Sequence, residues 1–555
     1  MRRRPFIASW LLLASALAAF GAGVRAAQTD PPLVTLSIVG TSDLHGAALP
    51  ASGLGGLPLL AGFVNNLRAA RAADHGAVVL LDSGDTFQGG IESDLSEGAM
   101  VVAAYNAIGY TAEAIGNHDF DFGSVDDPGA AQTAGDLRGA IKARAAEARF
   151  PFLAANLIDE ASGRVVEWPN VHRSVLIDAA GVKVGIIGVI TIDALRSTIA
   201  ANVQGLRIAP LAPAIVSEAT KLRAEGAAVV IVAAHAGGRC TAFADPSDLS
   251  SCDQESEIFR VAHDLPRGLV DVIAAGHTHA GIAHRVNGIA IIEPFQRGQA
   301  FGRIDMTLDR ATKAVRRAEI FAPRMLSAPV AGETLNYEGR PVAADASVAR
   351  AMQPALDRVR RLQATPLGVT LPAAIVRGGD AGSPLGNIFA DALRHAVPGA
   401  DVAVINTATR GLWADLPAGA LTFGALYDVF PFDNRVARIT LTGSELARWV
   451  EGELTERRGT GLGISGLDVR ATCTREGVHA ALLRGGTAVG DSDRLLVVTI
   501  GGPTLSGNIA TRDPLGGGPP ENSTVVREAV EDWLRRPGNA RPRGDRVQMA
   551  PCEQG

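Results

Sequence analysis

The 555-residue chain has no excess of basic residues, and this absence narrows the classes of partner. Lysine and arginine number 52 against 58 aspartates and glutamates, which gives a formal net charge of −6 at pH 7. A nucleic-acid-binding surface needs positive charge concentrated in a patch or stripe. Since the sequence shows no such stripe, we expect no nucleic acid polymer as a partner.

Long hydrophobic runs are also lacking, apart from one near the start of the chain. After a start rich in arginine, an apolar stretch runs from Ile7 to about Phe20 and is followed by small residues at Ala26 and Ala27. A membrane-spanning helix needs roughly 20 apolar residues, so this shorter run with a cleavage pattern favours an export signal over an anchor. We predict a cleavable signal peptide over residues 1–27 and no membrane anchor after cleavage.

The charged start leaves two export routes open. The segment Arg3-Arg4-Pro5-Phe6-Ile7 fits a twin-arginine signal, although three arginines fit a general secretory signal as well. No cysteine follows the apolar stretch, so the sequence indicates no lipid anchor. By either route, the predicted location is the periplasm or the cell exterior.

Cysteine is scarce, with four residues in the whole chain: Cys240, Cys252, Cys473 and Cys552. In an oxidising compartment, an even number of cysteines favours disulfides. The short loop between Cys240 and Cys252 predicts that these two pair, which leaves Cys473 for Cys552. The alternative is four free thiols.

The rest of the composition is that of a globular protein, with 47% hydrophobic and 20% charged residues. A chain of this length predicts two domains plus the leader. Over residues 33–325, short apolar runs alternate with amphipathic stretches, which indicates a layered α/β domain. The runs that read as buried strands are VTLSIVG, AVVLLDSGD, VGIIGVIT, AAVVIVAAH and VDVIAAGH.

The pattern then loosens over residues 326–365, where prolines and glycines precede a helix-like stretch, DASVARAMQPALDRVRRLQA. We interpret this region as a linker with a helix. A second α/β domain is predicted over residues 366–555.

Polar residues with metal-binding side chains directly follow the predicted strands of the first domain, where α/β sheets place their ligands. Taken singly, Asp43 or Asp85 could cap a turn, and His235 could be an ordinary core histidine. Their joint occurrence favours a metal site. The segments are Asp43-Leu44-His45, Gly84-Asp85, Gly116-Asn117-His118-Asp119, His235 and Gly276-His277-Thr278-His279.

This set offers enough oxygen and nitrogen ligands for two divalent cations that share one bridging carboxylate. Mixed ligation by aspartate, asparagine and histidine suits Mn, Zn or Fe(II), with Mg as the weaker candidate.

The series D-L-H, G-D, G-N-H-D, a strand-end histidine and G-H-T-H resembles the calcineurin-type metallophosphoesterases. G-D-T-F-Q-G-G and G-N-H-D-F-D-F-G resemble the 5′-nucleotidase branch in particular. This resemblance implies a layered α/β/β/α sandwich followed by a second α/β domain of the 5′-nucleotidase C-terminal type.

Residue by residue, the resemblance implies a role for each predicted ligand. It makes Asp43, His45 and His279 ligands of one metal, and Asn117, His235 and His277 ligands of the other, with Asp85 as the bridge. Many members of the branch have glutamine where His279 stands, so the metal preference of this chain could differ.

The resemblance also implies a catalytic pair, His118 and Asp121, in which the carboxylate orients the imidazole that donates to the developing charge. Asp119 is expected to be a supporting or surface residue.

The second domain resembles the family in GNIFADALR and VFPFDN, but the match is partial. Either Arg410 or Trp413 stands in the place of a family arginine. Phe432 fits one of the two aromatic residues that stack on a base in the family, and no second one is evident in the sequence. The implied substrate-binding residues are Arg377, Asn406, Arg410, Phe432 and Asn434.

The predicted function is that of an exported two-metal phosphoesterase, acting on a nucleotide or a related small phosphate ester. The alternatives are a UDP-sugar diphosphatase, a 2′,3′-cyclic phosphodiesterase, a thiosulfohydrolase that releases sulfate, and a ligand-binding protein without turnover.

Overall fold

A computed structural model of the chain describes ten segments: residues 32–125, 135–330, 333–378, 382–407, 411–432, 434–456, 461–474, 477–501, 524–541 and 546–550. The predicted signal peptide lies outside the described residues. Among those that are described, no helix combines the length and apolar character that crossing a membrane requires.

The first domain is built on two large sheets and a small sheet of order β10-β5-β6. Its strands are β1 (Leu33–Thr41), β2 (Ala77–Asp82), β3 (Ala112–Ala114), β4 (Phe152–Leu153), β5 (Leu157–Asp159), β6 (Arg164–Val165), β7 (Val171–His172), β8 (Ser174–Ala179), β9 (Val182–Ile190), β10 (Leu206–Ile208), β11 (Val229–His235), β12 (Val272–Ala275), β13 (Gly281–Val286), β14 (Ile289–Pro294), β15 (Ala300–Asp309) and β16 (Val315–Met325). Its helices are α1 (Gly56–Ala73), α2 (Ile91–Asp94), α3 (Ala99–Ile108), α4 (Gly139–Glu147), α5 (Leu211–Ala224) and α6 (Glu257–Asp264).

One sheet has the order β16-β15-β1-β2-β3-β4-β7, and the other has the order β13-β14-β12-β11-β9-β8. The two sheets pack face to face through buried branched residues such as Ile38 and Val79 on one side and Ile186 and Ile231 on the other. The outer face of the first sheet is covered by α1, α3 and α4, and that of the second by α5 and α6. This is the α/β/β/α layering that the sequence predicts.

The two sheets are parallel at their centres and antiparallel at their edges. β1 to β4 and β7 run parallel, as do β9, β11, β12 and β14, while β8, β13, β15 and β16 pair antiparallel with their neighbours. The carboxyl ends of the central strands of each sheet therefore meet at one edge.

The region between the domains packs against the first domain. After the short hairpin β17 (Asn336–Tyr337) and β18 (Arg340–Pro341), helix α7 (Ala346–Gln363) is capped by the Asp345 carboxylate, which accepts the Ser347 N–H at 2.8 Å. Val348 and Met352 of α7 enter the first core. Farther along, Val359 packs with Leu95 and Tyr427, so the helix also contacts the second domain.

The second domain is a smaller α/β unit. Its described elements are β19 (Pro366–Leu371), α8 (Pro384–Ala396), β20 (Val402–Asn406), β21 (Gly419–Thr422), α9 (Phe423–Val429), β22 (Val436–Thr442), α10 (Gly443–Glu456), β23 (Leu462–Ser465), β24 (Asp468–Thr474), β25 (Gly477–Arg484), β26 (Thr487–Ala488), β27 (Arg494–Ile500), α11 (Val526–Leu534) and β28 (Val547–Met549). A sheet of order β22-β27-β20-β23 separates a core shared with α8, α9 and α11 from a core shared with α10 and the sheet β26-β25-β24-β28.

The structure contains the Cys240–Cys252 disulfide that the loop length predicts. Phe243 of the enclosed loop packs edge-on against Phe295, which follows β14 near the carboxyl edge of the sheets. Cys473 is also disulfide-bonded. Because Cys552 lies outside the described residues, its pairing with Cys473 stays a prediction.

Candidate metal centre

The predicted metal ligands converge because each follows the carboxyl end of a central strand. Asp43 and His45 come after β1, Asp85 after β2, and Asn117 after β3 in one sheet. His235 ends β11, while His277 and His279 follow β12 in the other sheet. The ligands thus lie where the edges of the two packed sheets meet.

Five of the seven predicted ligands have left-handed backbone conformations, with φ between 48° and 78°. Such conformations are uncommon for residues other than glycine and cost on the order of 1–3 kcal/mol each. They persist only where surrounding contacts hold them, which is typical of functional loops. The five are Asp43, His45, Asp85, His277 and His279.

The ligand atoms form two clusters. In the first, His45 Nε2 lies 3.0 Å from His279 Nε2, and His279 Nε2 lies 3.5 Å from Asp43 Oδ1. In the second, His235 Nε2 lies 2.9 Å from Asn117 Oδ1 and 3.2 Å from His277 Nδ1.

Asp85 belongs to both clusters. Its Oδ2 lies 3.2 Å from His235 Nε2 and 3.9 Å from His45 Nε2, and the residue is 1% exposed. A single carboxylate between two groups of donors is the arrangement that a pair of bridged cations requires.

Hydrogen bonds at the far side of two imidazoles show that the site fits cations. His45 Nδ1 faces the carbonyl oxygen of Gln88 at 3.0 Å, and His235 Nδ1 faces that of Ser83 at 2.9 Å. A carbonyl accepts only, so each Nδ1 carries a proton, and Nε2 is the ring nitrogen that can bind a cation once it is deprotonated. Lone pairs and carboxylate oxygens that face one another repel unless a cation lies between them.

The local electrostatics favour ligation. Burial and the neighbouring His235 lower the pKa of His277 to about 4, and burial lowers the pKa of His45. Both imidazoles are therefore neutral at pH 7, as metal ligands must be. Burial opposes ionisation of Asp85, but His235 and His118 outweigh it and hold the pKa of this carboxyl well below its ordinary value.

The pKa of His235 is shifted upwards, unlike those of His45 and His277. Burial disfavours its charged form, yet the Asp85 carboxylate raises the pKa of His235 to about 9. A cation that binds His235 must therefore displace a proton from it.

The predicted catalytic pair lies beside the clusters. His118 Nδ1 lies 2.6 Å from Asp121 Oδ2, and its backbone N–H donates to Asp85 Oδ1 at 2.7 Å. Burial opposes charging of His118, but Asp121 and Asp85 outweigh it and raise the pKa of His118 to about 10. The His118 ring centroid is 5.4 Å from that of His45, so the imidazole lies beside the first cluster.

Two supporting residues, Thr198 and Glu293, were not singled out by the sequence. Thr198 donates to Asp121 Oδ1 at 2.8 Å and so fixes the carboxylate that orients His118. Asp119 is fully buried, and it accepts backbone N–H groups of Thr86 and Gly116 at 2.9 and 2.8 Å. It is thus a supporting residue and not a surface one.

Glu293 is the other supporting residue of note. Fully buried, it accepts the N–H of Gly238 at 3.1 Å and lies 2.6 Å from the Thr278 hydroxyl. It therefore ties the loop after His235 to the loop that carries His277. An acidic residue within the apolar run IAIIEP was the available sequence signal.

The predicted substrate-binding residues are only partly brought together. The Arg377 guanidinium donates to the carbonyls of Leu412 and Trp413 at 3.0 and 2.5 Å, so it holds the loop that carries Trp413. Asn434 donates to the carbonyl of Gly501 at 2.6 Å. Asn406 ends β20. Arg410 lies outside the described residues.

Phe432 has an aromatic neighbour that the sequence did not reveal. The ring of Trp413 meets it edge to face, with centroids 5.2 Å apart and an interplanar angle of 84°. Trp413 is 44% exposed, which leaves ring surface available to a ligand.

Two protein-family models match the chain, one in each half. Residues 36–281 match the model described as "Calcineurin-like phosphoesterase", and residues 366–503 match "5'-nucleotidase, C-terminal domain". The first match contains all seven predicted ligands. The second contains the five predicted substrate-binding residues.

Curated relatives share about a quarter of their residues with the chain. "Endonuclease YhcR" of Bacillus subtilis is 26% identical over 472 residues, 82% of this chain and 36% of the relative. "5'-nucleotidase" of Vibrio cholerae is 24% identical over 449 residues, 74% of each chain. The chain spans only 36% of the first of these and 60% of "Cell wall protein Lmo0130" of Listeria monocytogenes, which is 25% identical over 491 residues and 82% of this chain.

Solved structures agree in fold. The "5'-nucleotidase precursor" of Thermus thermophilus superposes with a TM-score of 0.57 at 20% identity, covering 94% of this chain and 100% of that one. The "Putative 5'-Nucleotidase" of Staphylococcus aureus gives a TM-score of 0.63 at 17% identity, covering 93% and 99%. With the two family matches in this order and the fold in agreement, the chain belongs to the calcineurin-like metallophosphoesterases of the 5′-nucleotidase family.

Proposed function

We propose that the protein is an exported two-metal phosphomonoesterase that hydrolyses nucleotides, most readily 5′-nucleotides. The observation that carries this proposal is the pair of ligand clusters that share Asp85 and lie beside His118. A protein that only binds a ligand has no need of two clusters with a proton donor beside them.

The proposed metal ligands are the seven residues of the two clusters, and Mn, Zn or Fe(II) suits their mixture of imidazole and oxygen donors better than Mg. When bound, two such cations supply Lewis acidity that polarises the phosphoryl group and lowers the pKa of water. The positions of such cations would be fixed by Asp43, Asp85 and His235, which are all buried at the carboxyl ends of strands.

His118 is the proposed proton donor. Its Nδ1 is engaged by Asp121, so Nε2 is the ring nitrogen left to donate to charge that develops on the phosphate ester. Thr198 holds the other oxygen of Asp121, and this fixes the ring plane. Asp121 and Thr198 thus orient the His118 imidazole before the substrate binds.

The second domain is proposed to hold the nucleoside. Phe432 offers ring surface to the base, and the Trp413 ring lies nearly perpendicular to it at the same site. Arg377 and Asn434 support this face by binding backbone carbonyls, while Asn406 and Arg410 stay predicted contacts from the family resemblance. Base stacking of this kind tolerates several bases.

The Cys240–Cys252 disulfide supports export, because disulfides persist in oxidising compartments such as the periplasm. The signal peptide and its Sec or twin-arginine route are part of the same proposal.

The test is a phosphate-release screen of the purified mature protein with Mn²⁺, Zn²⁺ or Fe²⁺, alongside metal analysis. The substrates are 5′-, 3′- and 2′,3′-cyclic nucleotides, UDP-sugars and ribose 5-phosphate, with sulfate release from a thiosulfonate as a separate assay. We expect the highest kcat/KM for a 5′-nucleotide and two metal ions per chain. A UDP-sugar or cyclic nucleotide that exceeds every 5′-nucleotide, or sulfate release alone, would replace the proposed substrate. No turnover with any metal would favour a binding protein.

A further inference from the structure

A buried hydrogen bond joins the two domains close to the metal centre. Tyr427 lies on α9 of the second domain, and its hydroxyl donates to Asp94 Oδ2 at 2.8 Å. Asp94 is the last residue of α2 in the first domain, 333 positions away along the chain, and is 6% exposed. The contact therefore fixes one domain against the other at a defined point.

On the first-domain side, the contact continues to a predicted metal ligand. Asp94 Oδ1 accepts the N–H of Gly89 at 2.8 Å. Gly89 follows Gln88, whose carbonyl oxygen lies 3.0 Å from His45 Nδ1 and orients that imidazole. A Cβ added at Gly89 would meet the carbonyl oxygen of His45 at 2.9 Å, so the two segments are packed closely. Asp94 thus braces the segment that holds His45.

On the second-domain side, the contact continues to the proposed base-binding face. The guanidinium carbon of Arg527 lies 4.6 Å from the centre of the Tyr427 ring. The same guanidinium donates to the carbonyl of Phe432 at 3.0 Å. Since α9 also ends at Val429, shortly before Phe432, Tyr427 is linked to this face both along the chain and through Arg527.

Apolar side chains also pack around the Tyr427 ring. Leu95 and Val359 are buried with Tyr427, and Ile91, Leu362 and Phe423 pack around them. A hydrogen bond to a carboxylate in such a setting is stronger than one at the surface.

We propose that Tyr427 and Asp94 form a docking contact that sets the distance between the base-binding face and the metal centre. Tyr427 is thus a positioning residue for the nucleotide reaction. This inference rests on the proposed function, since it assigns the base to the second domain and the phosphate to the first. Substrates that lack a base depend less on this distance.

The test compares Tyr427→Phe with Tyr337→Phe in the full mature chain. Tyr337 is a matched control because its hydroxyl also bonds a charged partner, accepting from Arg303 at 2.8 Å in a separate cluster. kcat/KM is measured for adenosine 5′-monophosphate and for ribose 5-phosphate, which lacks only the base. For Tyr427→Phe we expect a loss of about tenfold with the nucleotide, mainly in KM, and less than about twofold with ribose 5-phosphate. Tyr337→Phe should leave the ratio of the two substrates unchanged.

A second measurement needs no substrate. Hydrogen exchange should rise in residues 87–95 and 423–432 of Tyr427→Phe and stay at the wild-type level there in Tyr337→Phe. Asp94→Asn should also raise exchange in both segments, and adding Tyr427→Phe to Asp94→Asn should cause no further loss. Equal losses on both substrates, or unchanged exchange in either segment, would overturn the docking contact. If the wild type does not prefer adenosine 5′-monophosphate to ribose 5-phosphate, the proposed function is wrong. Hydrogen exchange then still tests whether Tyr427 and Asp94 dock the two domains.

Discussion

The metal centre and the proposed base-binding face are built in opposite ways. At the metal centre, each donor follows a buried strand, and Asp85 is 1% exposed. At the base-binding face, the residues lie on loops, and Trp413 is 44% exposed. Strand ends hold each donor in the first arrangement, whereas loop sequence decides the shape of the site in the second.

The polar side chains of the two regions also differ in what they bind. At the metal centre they turn towards one another, as His235 does towards Asn117 and Asp85. In the second domain, Arg377 and Asn434 turn towards backbone carbonyls. If the proposed function is correct, the chemistry is carried by a rigid frame, and the leaving group is chosen by segments that can change without disturbing that frame.

The largest effect is expected at the residue that both clusters share. Asp85→Asn removes the negative charge between them, so we expect both metal positions to be lost together and turnover to fall roughly 10³-fold or more with every substrate. Metal content by elemental analysis and phosphate release measure the two effects. The control is Asp245→Asn, which changes an exposed carboxylate in the Cys240–Cys252 loop and should leave both metal content and phosphate release unchanged. If Asp85→Asn lost only one of the two metal ions, Asp85 would not bridge them.

A smaller loss, without loss of metal, is expected at the proton donor. His118→Ala leaves all seven proposed ligands in place, so both metals should stay bound while kcat falls about 10²-fold or more on nucleotide and ribose 5-phosphate alike. The control is His263→Ala, an exposed histidine on α6. If His118→Ala released a metal ion, His118 would be a ligand and its proposed role would be wrong.

The same contrast separates what the sequence could predict from what it could not. The strands, and the convergence of the proposed ligands at their ends, were predictable because a short apolar run that ends in Asp, Asn or His carries its signal within a few residues, as in AAVVIVAAH ending at His235. The layered fold and its family are confirmed. The domain boundaries and the role of each site residue stay predictions.

What escaped the sequence depends on contacts between distant segments. Thr198 bonds Asp121, which is 77 positions away, and Tyr427 bonds Asp94, which is 333 positions away. No local sequence pattern predicts either hydrogen bond. Trp413 reaches Phe432 only because a loop folds back, held there by Arg377. The sequence indicates only Phe432 as a stacking residue, whereas the structure places the Trp413 ring in contact with it.

The smallest effect is expected at the base-binding face. Phe432→Ala removes a ring on which a base can stack, and stacking contributes about 1–3 kcal/mol per base, so KM for a 5′-nucleotide should rise about tenfold with kcat little changed. Ribose 5-phosphate should be cleaved as by the wild type, and metal content should be unchanged. Phe432→Leu keeps apolar bulk without the ring, which separates stacking from packing against Phe430. If leucine restored the wild-type KM, the ring would serve the fold and not the base, and the contrast between a rigid catalytic frame and a substrate-selecting face would lose its second half.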